Sequence, residues 1–229
     1  MNLWRYLDLA KFTRLLQTQE LHFCRGDKFE DRFEGSYPLS ALQLFEGGSS
    51  SYSAEAWKKF VAVSCWYNSD IESDAMWRLY TLHKQGVAIK TTWNKLESAV
   101  NSHAYVTRVK YIDFVKDQAQ IRIPSDVFEY KRKAYIHENE VRAIITKYPR
   151  MEIVNGLPMN SEPVPGEEIS ESGFHVKLEL RDLIDSVVVT PYSASWFVDV
   201  IARLCDKYGL PGNNVVESEL KADPVYAKI

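Results

Sequence analysis

The chain has 229 residues and a formal net charge of −3, with 45% hydrophobic and 26% charged residues. This is the composition of an ordinary globular protein, sufficient for one large domain or two small ones. It excludes a bulk electrostatic attraction to nucleic acid, for which a strongly basic face is expected, although a local basic groove stays compatible with it.

The N-terminus M-N-L-W-R-Y-L-D lacks the basic start and long apolar core of a signal peptide. No apolar run approaches the roughly 18 residues of a membrane span. Leu3–Tyr6 reads as a first strand, and Asp8 can cap a helix over Leu9–Gln17 whose Leu9, Phe12, Leu15 and Leu16 share one face. Leu21–Cys24 is a second strand. The charged stretch Arg25–Gly35 follows, read as a helical turn or a structured loop. Asp27, Glu30, Asp31 and Glu34 have the spacing of one helical face, with Phe29 and Phe33 on another. Ser36–Ser53, containing G-G-S-S-S, reads as a flexible surface excursion near residues 46–53.

Ala54–Lys59 reads as a short helix and Phe60–Trp66 as a buried strand. Ser69 and Glu72 have capping-box spacing for a helix reaching about Leu82, anchored by Met76, Trp77 and Tyr80. Gly86–Thr91 is a strand and Trp93–Val100 a helix. Tyr105–Tyr111 alternates as a strand. Phe128–Tyr135 reads as helical and leads into a strand over Glu138–Ile145. Residues 149–173, with Pro158, Pro163 and Pro165, read as a loop. Phe174–Leu180 and Ser186–Thr190 are strands, Ala194–Lys207 is an amphipathic helix stopped near Gly209 and Pro211, and Val215–Glu217 is a short edge strand. No repeat is present. The expected fold is a single mixed α+β domain spanning residues 1–229, with a central, largely antiparallel sheet and flanking helices. Cys24, Cys65 and Cys205 are far apart with no C-x-x-C, as in a cytosolic protein with reduced thiols; the expected location is the cytoplasm, with no membrane partner.

The chemistry concentrates at Y-I-H-E-N-E-V-R-A-I-I, Tyr135–Ile145. Glu138 and Glu140 are two apart, so on a strand both side chains project from one face. Two close carboxylates raise one pKa by repulsion, which suits proton transfer near neutral pH. The structural alternative is salt bridging to Lys131, Arg132 or Arg142. Arg5 lies between Trp4 and Tyr6 on an apolar strand, where arginine is costly unless paired. It is read either as a partner of the acidic segment or as a clamp on phosphate or carboxylate. Ser64, between Val63 and Cys65, is a core serine or a ligand contact. The cluster Asp27-Glu30-Asp31-Glu34 can hold a hard cation or form internal salt bridges with Arg25, Lys28 and Arg32. There is no G-x-G-x-x-G, P-loop, H-E-x-x-H or G-x-S-x-G.

L-W-R-Y at Leu3–Tyr6, D-K-F-E-D-R-F-E-G at Asp27–Gly35, S-C-W at Ser64–Trp66, S-D-A-M-W-R-L-Y at Ser73–Tyr80, G-V-A-I-K-T at Gly86–Thr91 and H-E-N-E-V-R at His137–Arg142 occur in order along the chain. Together they resemble the bacterial domain-of-unknown-function family 2971, a name that carries no established activity. In layout, Arg5, Ser64 and Glu138-x-Glu140 resemble ADP-ribosyltransferases of the arginine–serine–glutamate type. That resemblance implies NAD as substrate, with Arg5 holding it and Ser64 orienting the nicotinamide ribose. It also implies Glu140 at the ribose and Glu138 directing the acceptor, a protein or a nucleic acid. Ser64-Cys65-Trp66 departs from the usual Ser-Thr-Ser run. Tyr6, Trp66 and Trp77 are expected to stack on nicotinamide, and no metal is expected. Two other classes stay open. A metal-dependent nucleic-acid or phosphoester enzyme needs Asp27, Glu30 or Asp31 to meet Glu138 or Glu140 around a cation. A non-enzymatic interaction module uses Glu138 and Glu140 only in salt bridges.

Overall fold

The computed structural model describes residues 1–45, 57–81, 83–147, 153–154, 157–158 and 168–224. The fold is mixed α+β, with a large, mostly antiparallel sheet and several helices. The expected flexible excursion near 46–53 lies outside the described residues, as do the first half of the helix expected at Ala54–Lys59 and most of the loop expected at 149–173. No helix among the described residues is long and apolar enough to cross a membrane.

β1 (Asn2–Asp8) runs directly into α1 (Leu9–Thr18), because Asp8 Oδ1 accepts the Lys11 amide at 2.8 Å and caps the first turn. In chain order there follow β2 (Glu20–Arg25), α2 (Leu39–Phe45), β3 (Val61–Asn68), α3 (Asp74–Tyr80), β4 (Gly86–Thr92), α4 (Trp93–Val100), β5 (Tyr105–Arg108) and β6 (Lys110–Ile112). Then come β7 (Tyr130–Arg132), β8 (Glu140–Thr146), β9 (Ile153–Val154), β10 (Leu157–Pro158), β11 (Phe174–Lys177), α5 (Leu180–Leu183), β12 (Ser186–Val189), α6 (Trp196–Lys207) and β13 (Val215–Glu217).

The chain divides into two compact units. The first comprises Met1–Leu21, Trp66–Ala99 and Lys177–Ile229. Here β1 lies antiparallel to β4, with Arg5 opposite Ile89, and antiparallel to the end of β3, with Trp4 opposite Tyr67. β12 continues the sheet antiparallel to β4, and β13 is added parallel to β12. α1 buries Phe12, Leu15 and Leu16, as its spacing requires. Trp4, Tyr6, Met76, Trp77, Ala88 and Val188 form an aromatic-rich core cluster. Beside it, Glu72 accepts from Trp77 Nε1 at 2.8 Å, Ser218 Oγ at 2.6 Å and the Glu219 amide at 2.5 Å.

The second unit comprises His22–Cys65 and Val100–Val176. β3 pairs with β2, with Cys24 opposite Val63, and with β8, which in turn pairs antiparallel with β5. Val61, Val63, Val127, Phe128 and Ile144 fill its core. β6 and β7 form a separate parallel pair.

Several expected boundaries differ, each for a local reason. The cap of α3 is Ser73, whose hydroxyl accepts the Met76 amide, whereas Glu72 is drawn away to Trp77 and Ser218. The Tyr105–Tyr111 alternation is two strands, broken at Val109, whose amide bonds the Glu140 carbonyl at 2.9 Å. α2 forms inside the stretch expected to be an excursion, and the short antiparallel β9–β10 pair lies inside the stretch expected to be a loop. In place of a helix over Phe128–Tyr135, two 3₁₀ segments, Pro124–Glu129 and Lys133–Glu138, flank β7.

Candidate functional site

The 3₁₀ segment Lys133–Glu138 ends at Asn139, which adopts the left-handed conformation (φ 37°, ψ 55°) that asparagine tolerates better than most residues. β8 starts at the next residue. Glu138 is therefore not on the strand, and the expectation that strand alternation puts both glutamates on one face is corrected. A turn at Asn139 and a shared lysine bring the two carboxyls together instead.

Lys131, on β7, is that lysine. Its ammonium bonds Glu138 and lies 3.3 Å from Glu140 Oε1 and 3.2 Å from Glu34 Oε1. Arg142 completes the group. Its Nε donates to Glu140 Oε2 at 2.7 Å, one terminal nitrogen donates to the Phe128 carbonyl at 2.9 Å, and the other bonds Glu34. None of these five residues is more than 7% exposed. Removing a charge from water is costly, so a buried group of this kind persists only because each ion is paired and hydrogen-bonded.

The two glutamates are driven apart electrostatically. Burial raises the Glu138 carboxyl above its ordinary value; the Lys131 hydrogen bond opposes this, and the charge of Glu140 adds to it. Burial also pushes Glu140 up, but the Arg142 and Lys131 charges outweigh it and hold that carboxyl below its ordinary value. A side-chain hydrogen bond between the two works in both directions, raising Glu138 and lowering Glu140. Of the two, Glu138 is thus the carboxyl that binds a proton more readily. Desolvation by the same surroundings takes Tyr111, whose hydroxyl accepts the Glu140 amide at 2.9 Å, up to about 12.

Ser64 and Glu140 stand on paired strands but project to opposite faces. Val61, Val63 and Cys65 alternate onto the face that carries Ile144, and with it Arg142 and Glu140. The β3 residue facing the network is consequently Cys65. Burial, and next the Glu140 charge, raise its thiol well above the ordinary range, so it stays protonated. Ser64 is fully buried on the other face. The period-2 register of V-A-V-S-C was the available signal for Cys65.

The acidic segment meets the pair, but through Glu34 rather than Asp27, Glu30 or Asp31, and a lysine ammonium sits between the carboxylates. Asp27 takes the Arg25 fork at 2.6 and 2.8 Å, and Asp31 takes the Arg132 fork at 3.0 and 2.8 Å. The segment is a single 3₁₀ turn, Gly26–Lys28, followed by turns, so its acids do not share a helical face. Phe29 packs on Phe128, whereas Phe33 is 41% exposed with its ring against Phe114.

The remaining expected site residues belong to the first unit. The Arg5 guanidinium lies over the Trp66 ring, 5.6 Å from its centroid. Tyr6 meets Trp77 edge-on at 4.8 Å, and its hydroxyl accepts the Ser73 amide. Trp66 and Trp77 are 1% and 0% exposed and pack as core, so their rings present no open face for stacking on a ligand. Sequence reading named Lys131 and Arg142 as salt-bridge partners of the glutamates and Glu34 as one of the acidic cluster, but it did not join Glu34 to the pair.

Residues 76–143, which include Lys131, Glu138, Glu140 and Arg142, match the family model described as Protein of unknown function (DUF2971). No curated protein matches the sequence. Solved structures similar to the chain include Thermus sp. 2.9 DarT in complex with NAD+, at 6% identity, 97% of each chain covered and a TM-score of 0.46. The same protein in complex with carba-NAD+ is similar at 7% identity, 95% of each chain covered and a TM-score of 0.44. Its complex with ADP-ribosylated ssDNA is similar at 6% identity, 96% of this chain and 94% of that one covered, with a TM-score of 0.45.

Proposed function

We propose that the protein is an ADP-ribosyltransferase-like enzyme that consumes NAD at the nicotinamide ribose, with Glu140 and Glu138 as its working carboxylates. One observation carries this reading: two buried carboxyls share the Lys131 ammonium while Arg142 bonds Glu140, a difference in surroundings that splits their proton affinities. Such a split is how two chemically identical groups acquire different tasks. Three carboxylates, Glu34, Glu138 and Glu140, face two cations, Lys131 and Arg142, so the fully ionised group carries excess negative charge.

Cleavage of the bond between ribose C1′ and the nicotinamide nitrogen sends the bonding pair to nicotinamide, which leaves neutral. Positive charge then develops on C1′ and the ring oxygen. Glu140, fixed by Lys131 and Arg142, is the anion that stabilises it without reorganising. The acceptor oxygen or nitrogen bonds to C1′ and gives up its proton. Glu138, once its own proton has left, is the base that takes it. Water as acceptor yields ADP-ribose; a protein or nucleic-acid group yields the transfer product.

The test is nicotinamide release from NAD by purified protein. Glu140→Gln keeps size but loses charge, and is expected to lower the rate about 100- to 1,000-fold. Failure of the wild-type protein to release nicotinamide refutes the reading. A second reading has its own support: both Glu140 oxygens are already bonded, to Lys131 and to Arg142, as in an interaction module whose charges only hold the fold. In that case Glu140→Gln alters stability and no wild-type turnover is found.

A further inference from the structure

The stretch Asp27–Glu34 has an inner and an outer side. On the inner side, buried Glu34 bonds Lys131 and Arg142, and Phe29 lies against Phe128 and beneath the Arg142 guanidinium. On the outer side, Lys28, Glu30, Arg32 and Phe33 are exposed. The stretch is tied internally. The Glu34 amide donates to the Asp31 carbonyl at 2.9 Å, the Phe33 amide to Asp31 Oδ1 at 3.1 Å, and Ser36 Oγ to the Arg32 carbonyl at 2.9 Å.

Two glycines bound it, and both abut the same ring. A Cβ on Gly26 or Gly35 would come within 2.4 or 2.6 Å of Phe128 Cζ, and Gly35 has φ +71°, which side chains disfavour. Beyond the Arg25 fork that holds Asp27 at its start, the stretch is fastened by the Arg132 fork on Asp31, with the guanidinium against the rings of Phe33 (4.6 Å) and Tyr135 (5.5 Å). Its aspartate side chain is 5% exposed but its arginine side chain is 40% exposed, whereas both partners of the Glu34–Arg142 contact are buried. Glu138 and Glu140 are 4% and 7% exposed, and Glu34 of this stretch bonds the same Lys131 and Arg142 that hold Glu140.

We infer that Asp27–Glu34 is a strap that gates the Glu138–Glu140 pair, swinging at Gly26 and Gly35 and released by opening of the Asp31–Arg132 fork. As regulation of a working site, the inference rests on the function proposed above; as a movement, it is measured without turnover. A ligand enters when the fork opens. Closure then returns Glu34 to Lys131 and Arg142 and restores the excess negative charge around the reacting ribose.

The experiment combines hydrogen exchange of the segment with carbodiimide labelling of carboxyls read by mass spectrometry. Glu72, buried in the other unit, serves as the internal control. Asp31→Asn removes the charge from the fork without touching the pair. It is expected to raise both the exchange of residues 27–34 and the labelling of Glu138 and Glu140 by roughly five- to tenfold, the effect of losing a charge-assisted, partly buried contact. Gly35→Ala is expected to do the same with the fork intact. Asp31→Arg combined with Arg132→Asp is expected to restore protection, which a merely unfolded variant would not show. Unchanged labelling of the pair in both Asp31→Asn and Gly35→Ala overturns the gate, as does labelling that rises equally at Glu72. Nicotinamide release is followed in parallel. If no variant releases it while labelling follows the strap, the transferase reading fails and the gate stands. If the wild type releases it and labelling never moves, the gate alone fails.

Discussion

Replacing Arg142 by methionine keeps most of the side-chain volume and removes three bonds at once: to Glu140, to Glu34 and to the Phe128 carbonyl. The guanidinium is completely buried, so no water replaces it without repacking. Breaking a buried ion pair by deleting one partner costs about 3–5 kcal/mol, because the partner charge is left desolvated. Here two carboxylates lose a cation, and Lys131 alone stays with Glu34, Glu138 and Glu140. Against a typical total stability of about 5–15 kcal/mol, that is a large fraction. With a urea dependence of about 2–3 kcal/mol per molar, the unfolding midpoint should fall by roughly 1–2 M. The assay is urea unfolding followed by circular dichroism and by tryptophan fluorescence. Adding Glu34→Gln and Glu140→Gln to the methionine variant should recover part of the loss, since neutral amides do not require the missing cation. A cost below about 1 kcal/mol, or no recovery in the triple variant, would show that the network is not the desolvated ion cluster described above.

The glutamates also set opposite pH dependences. Glu138 has its folded pKa above the ordinary 4.5, so the folded chain binds more protons and stability declines as pH rises from there through the folded value; Glu138→Gln should remove that decline in unfolding curves taken across pH. Glu140 has its folded pKa below 4.5, so its contribution is present above that pH and is lost as pH falls through the lowered value; Glu140→Gln should remove this acid-side loss. In product analysis with NAD, Glu138→Gln should reduce transfer to an acceptor more than hydrolysis, because a macromolecular acceptor depends on the proposed base more than freely supplied water does. Glu72→Ala, which strands the Trp77 indole, the Ser218 hydroxyl and the Glu219 amide, should lower stability by about 1–3 kcal/mol in the same unfolding assay. Arg5→Lys should weaken NAD binding in calorimetry, since an ammonium lacks the planar fork; unchanged affinity removes Arg5 from the ligand contacts.

Much of the fold was legible where one period dominates. Leu9, Phe12, Leu15 and Leu16 marked α1, Asp8 marked its cap, and the β-branched runs marked β3, β4, β8 and β12. What failed depended on long-range partners. Ser69 and Glu72 have capping spacing, but nothing local reveals that Glu72 bonds Ser218, 146 positions away. In the site, the adjacent carboxyls and their neighbours Lys131 and Arg142 were visible. The left-handed Asn139, which takes Glu138 off the strand, was not, and neither was Glu34, which reaches Arg142 across 108 positions. Ser64 was chosen over Cys65 by chemical type, whereas strand parity decides which of the two faces the charges.

The interleaving of the two units has a consequence for biosynthesis. The second unit is fully synthesised once Val176 has been made, whereas the first, although it includes Met1–Leu21 and Trp66–Ala99, also draws on Lys177–Ile229. A chain emerging from the ribosome can therefore complete the buried charge cluster while β1 and β4 still lack β12 and β13. Glu72 at that stage also lacks Ser218 and the Glu219 amide. Contacts between distant positions form slowly, because their loops must close first. The aromatic cluster around Trp77, which lacks Val188 until this late stretch is made, is accordingly completed after the charge cluster.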